Sequence, residues 1–263
     1  MTHGADRPRV LAIGGSDSSG GAGVQADMRT ITALGGYAMS AITAVTAQNT
    51  LGVEGVETVS PDFVSLQITT SIDDIGVDAL KSGMLATAAT ANVVADILSE
   101  IEAPYVCDPV MVATSGARLL DADAVTIYKN RLFPRATLIT PNIPEAEALT
   151  GMPIQNLDDM RNVAKRLLAL APKAVLLKGG HGDGGDLLDL LLTADTEVLL
   201  AAQKVETRHT HGTGCTLASA IATGLGRGMS VTDSVTMAHA YVQKAIRNAP
   251  GFGQGHGPLG LGI

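Results

Sequence analysis

Apolar runs recur along the chain at intervals that separate strands from helices. RVLAIGG, YAMSAITAVTA, PYVCDPVMV, ATLIT and KAVLLKGG are short, rich in aliphatic residues, and read as strands. Between them stand helix-length segments: GVQADMRTITALG, the stretch ending NVVADILSE, and LDDMRNVAKRLLALA. The strand runs are nearly continuously apolar, as expected of strands buried on both faces. Strand followed by helix, repeated, predicts a parallel sheet, and open parallel sheets bind ligands at the carboxyl ends of their strands.

The later chain has a different rhythm. DLLDLLLTADTEVLLAAQKVET predicts paired strands with a turn around Ala194 and Asp195, followed by helices over Thr213–Gly226 and Val231–Asn248 and a loop-like tail, GFGQGHGPLGLGI. No fixed-period repeat, charge block or low-complexity linker marks a boundary, so one α/β domain over residues 1–263 is expected.

Composition narrows the function. Hydrophobic residues make up 46% of the chain and charged residues 17%, which argues against disorder. A net charge of -8 opposes non-specific attraction to nucleic acid or anionic membrane, so any bound phosphate must be held locally. MTHGADRPRV lacks the apolar core of a signal peptide, and no apolar run reaches transmembrane length, so a soluble cytoplasmic protein is expected. Cys107 lies in a strand pattern and Cys215 in a turn, giving no reason to expect a disulfide, and no Cys and His cluster has zinc spacing.

Four stretches carry candidate chemistry. GGSDSSGGAGVQAD leaves the first strand and enters a helix, and its small residues let a ligand approach the backbone. Its Gly21–Ala26 segment fits the dinucleotide pattern G-x-G-x-x-A, but the second strand ends in TAQNT rather than in an acidic residue; Walker A fails for want of its Lys and Ser/Thr. In TPNIPEAEAL, Asn142 and Glu145 stand three apart at a helix start, which reads as a capping box or as polar groups near a hydrated magnesium ion. In LLKGGHGDGGD, Lys178 ends an apolar strand; it is a solvated lysine or an ammonium for a triphosphate. HGTGCTLASA sets Gly212, Thr213, Gly214 and Cys215 at a helix start, where backbone N–H groups make an anion site. Cys215 there is a small buried hydrophobe, or a thiol whose pKa the helix lowers toward neutrality so that it acts as a base. His181, His209 and His211 receive no catalytic role, since nothing in the sequence makes them converge.

These stretches, joined by ITAVTAQNT, SGML and DPVM in the same order, resemble the ribokinase-like kinases, most closely the hydroxymethylpyrimidine and phosphomethylpyrimidine kinases of thiamine biosynthesis. The resemblance covers nearly the whole chain. It implies a three-layer α/β sandwich, with a mostly parallel central sheet, helices on both faces, and little or no separate lid domain. It also implies that Gly15, Asp27, Gln48, Met84 and Val110 line a pyrimidine pocket, with Gln48 pairing to ring nitrogen and amino groups. Asp108, Asn142 and Glu145 would organise Mg2+, partly through water. Lys178, Asn142 and Thr213 would meet ATP, and Gly212 to Cys215 would form the anion hole with Cys215 as base. Most of the wider superfamily has an aspartate at the position of Cys215. A small-molecule pyrimidine and a second copy of the chain, as a homodimer, are the implied partners; a monovalent cation is a further candidate cofactor. A pyridoxal or pyridoxine kinase of the same superfamily is the alternative; a dinucleotide-binding oxidoreductase and a non-catalytic ligand-binding module are more distant ones.

Overall fold

A computed structural model describes residues 7–111, 122–181 and 187–261. Its strands are β1 (Arg9–Asp17), β2 (Tyr37–Gln48), β3 (Val53–Thr58), β4 (Ala79–Ser82), β5 (Tyr105–Cys107), β6 (Leu138–Ile139), β7 (Ala174–His181), β8 (Leu187–Thr193) and β9 (Glu197–Ala202). The helices are α1 (Gly23–Ala33), α2 (Pro61–Ile75), α3 (Ala88–Ser99), α4 (Ala122–Ile127), α5 (Ile143–Thr150), α6 (Leu157–Leu168), α7 (Thr213–Gly226) and α8 (Val231–Arg247). One sheet contains all these strands in the order β3-β2-β1-β4-β5-β6-β7-β8-β9. β2, β1, β4, β5, β6 and β7 run parallel to one another, and the antiparallel pairs lie toward the edges.

Alternate residues of the central strands feed two cores. Leu11, Ile13, Leu80, Tyr105, Cys107, Ile139, Val175 and Leu177 pack with residues of α2, α3, α5 and α6, whereas Val10, Ala12, Ala79, Val106, Leu138 and Leu176 pack with α7 and α8. The period of two is therefore present, but hidden in the sequence because both faces are apolar. The expected three-layer arrangement follows.

After β1 the chain builds β2 and β3 on one side, then returns to place β4 on the other. The carboxyl ends of β1 and β4 thus flank a topological switch point, the usual ligand crevice of such a sheet. Several expected boundaries move. PYVCDPVMV is strand only over Tyr105–Cys107, because Asp108 leaves the sheet to meet other side chains and Pro109 has no N–H to donate; its Val112 lies outside the described residues. The turn around Ala194 and Asp195 is present, closed by Thr193 N–H donating to the Thr196 carbonyl at 2.9 Å. α7 has the expected span, and α8 ends one residue early with Asn248 as its cap. β3, β4 and α2 were not anticipated. Beyond His181, the GDGGD of the third stretch lies outside the described residues, as do the tail's last two.

Candidate active site

The parallel strands end around a cavity of about 210 Å³. Gly14–Asp17 come from β1, Thr46 and Gln48 from β2, Gly83 and Met84 from just beyond β4, and Asp108 and Val110 from just beyond β5. Asn142 and Glu145 enter at the start of α5, Lys178 from β7, and Thr210–Cys215 from the start of α7. Every candidate site residue of the sequence analysis lies on this wall: Gly15, Asp27, Gln48, Met84, Asp108, Val110, Asn142, Glu145, Lys178, Gly212, Thr213, Gly214 and Cys215.

Close approach of the backbone requires glycine at position 212. Gly212 caps α7 with φ +85°, and a Cβ there would overlap the Gly21 carbonyl oxygen. This packs the turn before α7 against the loop after β1. A Cβ on Gly15 would overlap the Met84 side chain, and one on Gly214 would lie 3.4 Å from Asp108 Oδ2 and 3.5 Å from Lys178 Nζ. The turn that offers N–H groups therefore faces the Asp108–Lys178 pair.

Lys178 Nζ donates to Asp108 Oδ1 at 3.0 Å, and Thr140 Oγ1 donates to the same oxygen at 2.8 Å. One of three ammonium protons is used there, leaving the others for an anion. The capping-box reading of Asn142 and Glu145 is the one the structure displays. Asn142 Oδ1 accepts from Glu145 N–H at 2.9 Å and Glu145 Oε2 accepts from Asn142 N–H at 2.9 Å, a complete capping box that also faces the cavity. Burial pushes the Glu145 carboxyl up to about 7, with Lys178 opposing the rise and Asp108 adding to it.

Burial governs the charge of two of these residues. Asp27 does not offer a free carboxylate to the cavity: it is fully buried, both oxygens accept from Lys81 Nζ at 2.9 Å, and Ser219 Oγ donates to Oδ1 at 2.7 Å. Burial raises the Asp27 pKa and Lys81 opposes it. Cys215 is not tuned downward by its helix start. Burial pushes its thiol up to about 11, Lys81 pulls against that rise, and Asp27 and Asp108 add to it. Both cysteines are free thiols, as expected.

Three lining residues carried no assigned role in the sequence reading. Lys81, in a strand otherwise buried, needed an anion, and a lysine in an apolar run before SGML was the available signal. Asp17 is almost fully buried and accepts from Ser19 N–H, Ser19 Oγ and Ala22 N–H, each at 2.8 Å. His211 Nε2 lies 2.8 Å from Asp17 Oδ2, the oxygen that also accepts from Ala22 N–H, so this histidine, set aside in the sequence, enters the site. Burial alone would raise the Asp17 pKa, but His211 and these donors bring it to about 2. His209 stands outside the cavity wall, and the His181 side chain is outside the described set.

Residues 17–260 match the family model described as phosphomethylpyrimidine kinase. The chain belongs to the phosphomethylpyrimidine kinase family. It is 46% identical over 255 residues to a hydroxymethylpyrimidine/phosphomethylpyrimidine kinase of Streptomyces coelicolor, covering 97% of this chain and 94% of that one. It is 48% identical over 254 residues to a thiamine biosynthesis bifunctional protein of Geobacter sulfurreducens; the match takes in 96% of this chain but only 52%, about half, of that protein's length. A Staphylococcus aureus pyridoxal kinase, solved with AMP-PCP and pyridoxal, superposes with a TM-score of 0.89 at 32% identity, covering 97% of this chain and 94% of the other. The mostly parallel sheet with helices on both faces is that of the ribokinase-like kinases in this family. Family membership also removes the dinucleotide-binding alternative. No described helix is long and apolar enough to cross a membrane.

Proposed function

We propose that this chain phosphorylates 4-amino-5-hydroxymethyl-2-methylpyrimidine and then its monophosphate, taking the γ-phosphoryl group of ATP each time. One observation carries the reading: the Gly212–Cys215 turn, the Lys178–Asp108 pair and the Asn142–Glu145 cap converge on one cavity at the strand ends. In the first transfer the hydroxymethyl oxygen attacks phosphorus and the bond to the ADP oxygen breaks; in the second, a phosphate oxygen of the monophosphate attacks. Such transfers depend on position and on charge stabilisation. The N–H groups of the turn face the transferred group, and Lys178 neutralises the nucleotide phosphates.

Mg2+ fits the residues present, because Asp108 and Glu145 put two carboxylates on one wall and burial with Asp108 strains the charge on Glu145. Asp108, Asn142 and Glu145 would hold the ion, partly through water, and when bound it neutralises phosphate charge. Among the described residues no cluster of three or more His, Cys, Asp or Glu could hold a metal without such outside ligands. The monovalent cation stays a candidate without an assigned site.

Cys215 takes the hydroxymethyl proton in its ionised fraction. With a thiol near 11 that fraction is about one in 10³–10⁴ at pH 7.5, a cost of roughly 5 kcal/mol. The chain functions as one domain and pairs as a homodimer; Val45, Val56, Phe63 and Leu66, exposed large apolar residues on β2, β3 and α2, support that pairing. Pyridoxal phosphorylation is the second reading, supported by the likeness to the Staphylococcus aureus enzyme. Incubation with Mg2+, ATP and the pyrimidine, with pyridoxal in parallel, followed by chromatography of the products, separates the two. Pyrimidine diphosphate is expected; pyridoxal phosphate alone would move the substrate class and leave the site in place.

A further inference from the structure

Gln48 stands in a hydrogen-bond network that fixes which way its amide faces. Its side-chain nitrogen lies 3.3 Å from His211 Nε2, and its side-chain oxygen 3.1 Å from Thr46 Oγ1. His211 Nε2 is also 2.8 Å from Asp17 Oδ2. The Asp17 carboxylate accepts from Ser19 N–H, Ser19 Oγ and Ala22 N–H as well, so it is an acceptor only, and Nε2 must carry the proton it donates. An amide NH2 turned toward that N–H sets donor against donor.

A second conflict lies at the other end. Thr46 Oγ1 is 3.0 Å from the Ser16 carbonyl oxygen and 3.1 Å from the amide oxygen, yet a hydroxyl has one proton to give. Rotating the amide by half a turn resolves both. The carbonyl oxygen then shares the His211 Nε2–H with Asp17 Oδ2 in a three-centre bond, Asp17 keeping the shorter arm, the NH2 donates to Thr46 Oγ1, and Thr46 gives its proton to Ser16. After those bonds the amide keeps one free lone pair on the His211 side and one free N–H on the Thr46 side, with Gln48 on the cavity wall.

We infer that Asp17, His211 and Thr46 are positioning residues that lock the Gln48 amide in this orientation, and that the locked amide selects substrates whose edge places an amino group beside an unprotonated ring nitrogen. The inference rests on the pyrimidine reading above. The amino N–H meets the carbonyl on the His211 side and the ring nitrogen accepts from the N–H on the Thr46 side, so the lock also sets which way the ring enters. An amide free to turn would present the reverse order to half of the incoming molecules and would spend its polar groups elsewhere. His211 is itself held in place: its backbone N–H donates to the Gly257 carbonyl at 3.1 Å, and its ring lies against Gly21. The chain's final loop thus bears on substrate choice through one imidazole.

The test is steady-state kinetics on the full chain with the pyrimidine and, separately, with pyridoxal. Thr46→Val and His211→Phe remove the two partners with little change of shape, and Thr46→Ser restores one. The expected result is a KM for the pyrimidine raised about 5- to 100-fold in Thr46→Val and in His211→Phe, the range for one lost buried hydrogen bond. KM for ATP and kcat should stay within about threefold, KM for pyridoxal should change little, and Thr46→Ser should return KM to the wild-type value. In a Gln48→Ala background neither substitution should raise KM further, since both act through that amide. Should His211→Phe fail to fold, the Thr46 pair carries the test alone. An unchanged KM in Thr46→Val, or additive effects in the Gln48→Ala background, overturns the inference. Failure of the wild type to phosphorylate the pyrimidine overturns the functional reading and this inference together, so the two failures are distinguishable.

Discussion

Breaking the Lys81–Asp27 pair should lower stability whichever partner is removed, yet move the Cys215 thiol in opposite directions. Both side chains are essentially inaccessible, with Lys81 Nζ 2.9 Å from each Asp27 oxygen. Removing one member of such a pair leaves an uncompensated buried charge and costs about 3–5 kcal/mol. At about 2–4 °C per kcal/mol for a chain near this size, Asp27→Asn and Lys81→Met should each lower Tm by about 6–20 °C. The double variant should be more stable than the sum of the two losses implies. The thiol supplies the opposite signs, because Lys81 pulls its pKa down and Asp27 pushes it up. Asp27→Asn should therefore shift the pH dependence of Cys215 alkylation by iodoacetamide to lower pH, and Lys81→Met should shift it to higher pH. Cys107 competes little, being fully buried with its thiol pushed up to about 12 by that burial. Thermal melts and labelling read by mass spectrometry give both quantities. A Tm change under about 2 °C, or shifts of the same sign in the two variants, would refute the reasoning.

Other outcomes follow from the same geometry. Cys215→Ala should lower kcat by about 10²- to 10³-fold while the pyrimidine Kd stays within about threefold, measured by single-turnover kinetics and calorimetry. If the ionised fraction of Cys215 is the base, wild-type kcat should rise about tenfold per pH unit from 7 to 10, and Cys215→Asp should flatten that rise. Gly212→Ala places a Cβ against the Gly21 carbonyl oxygen at φ +85°, so it should lower Tm and cut kcat by about 10²-fold through displacement of the turn. Asp17 has a folded pKa near 2, below its ordinary value of 3.8, so its contribution is fully present above that ordinary value and is lost as pH falls toward 2. It amounts to about 2 kcal/mol, and the acid limb of the stability profile of Asp17→Asn should be correspondingly flatter.

Much of this architecture was legible because local signals and tertiary structure agree. β1, β2, β7 and the helix Thr213–Gly226 are long apolar segments with clear punctuation, and many of the candidate site residues sit at strand ends or helix starts, where a parallel sheet gathers them. What escaped was set by partners distant in sequence. β3 is almost wholly exposed and carries a polar pattern, and β4 is only four residues long, so neither stands out before β1 and β2 are in place. The pairing of Asp27 escaped because its partner, Lys81, is 54 residues away. His211 read as unremarkable because Asp17 is 194 residues away. The helix start at Cys215 was visible, but the desolvation that outweighs it is a property of the packed interior.

The most direct measurement is a crystal structure of the protein with AMP-PCP, Mg2+ and the hydroxymethylpyrimidine. The account expects the hydroxymethyl oxygen against Cys215 and the Gly212–Cys215 turn, with the γ-phosphate between that oxygen and Lys178. The amino group should face the Gln48 carbonyl on its His211 side. A pyrimidine seated away from the strand-end cavity, or with its hydroxymethyl group directed away from the turn, would contradict it.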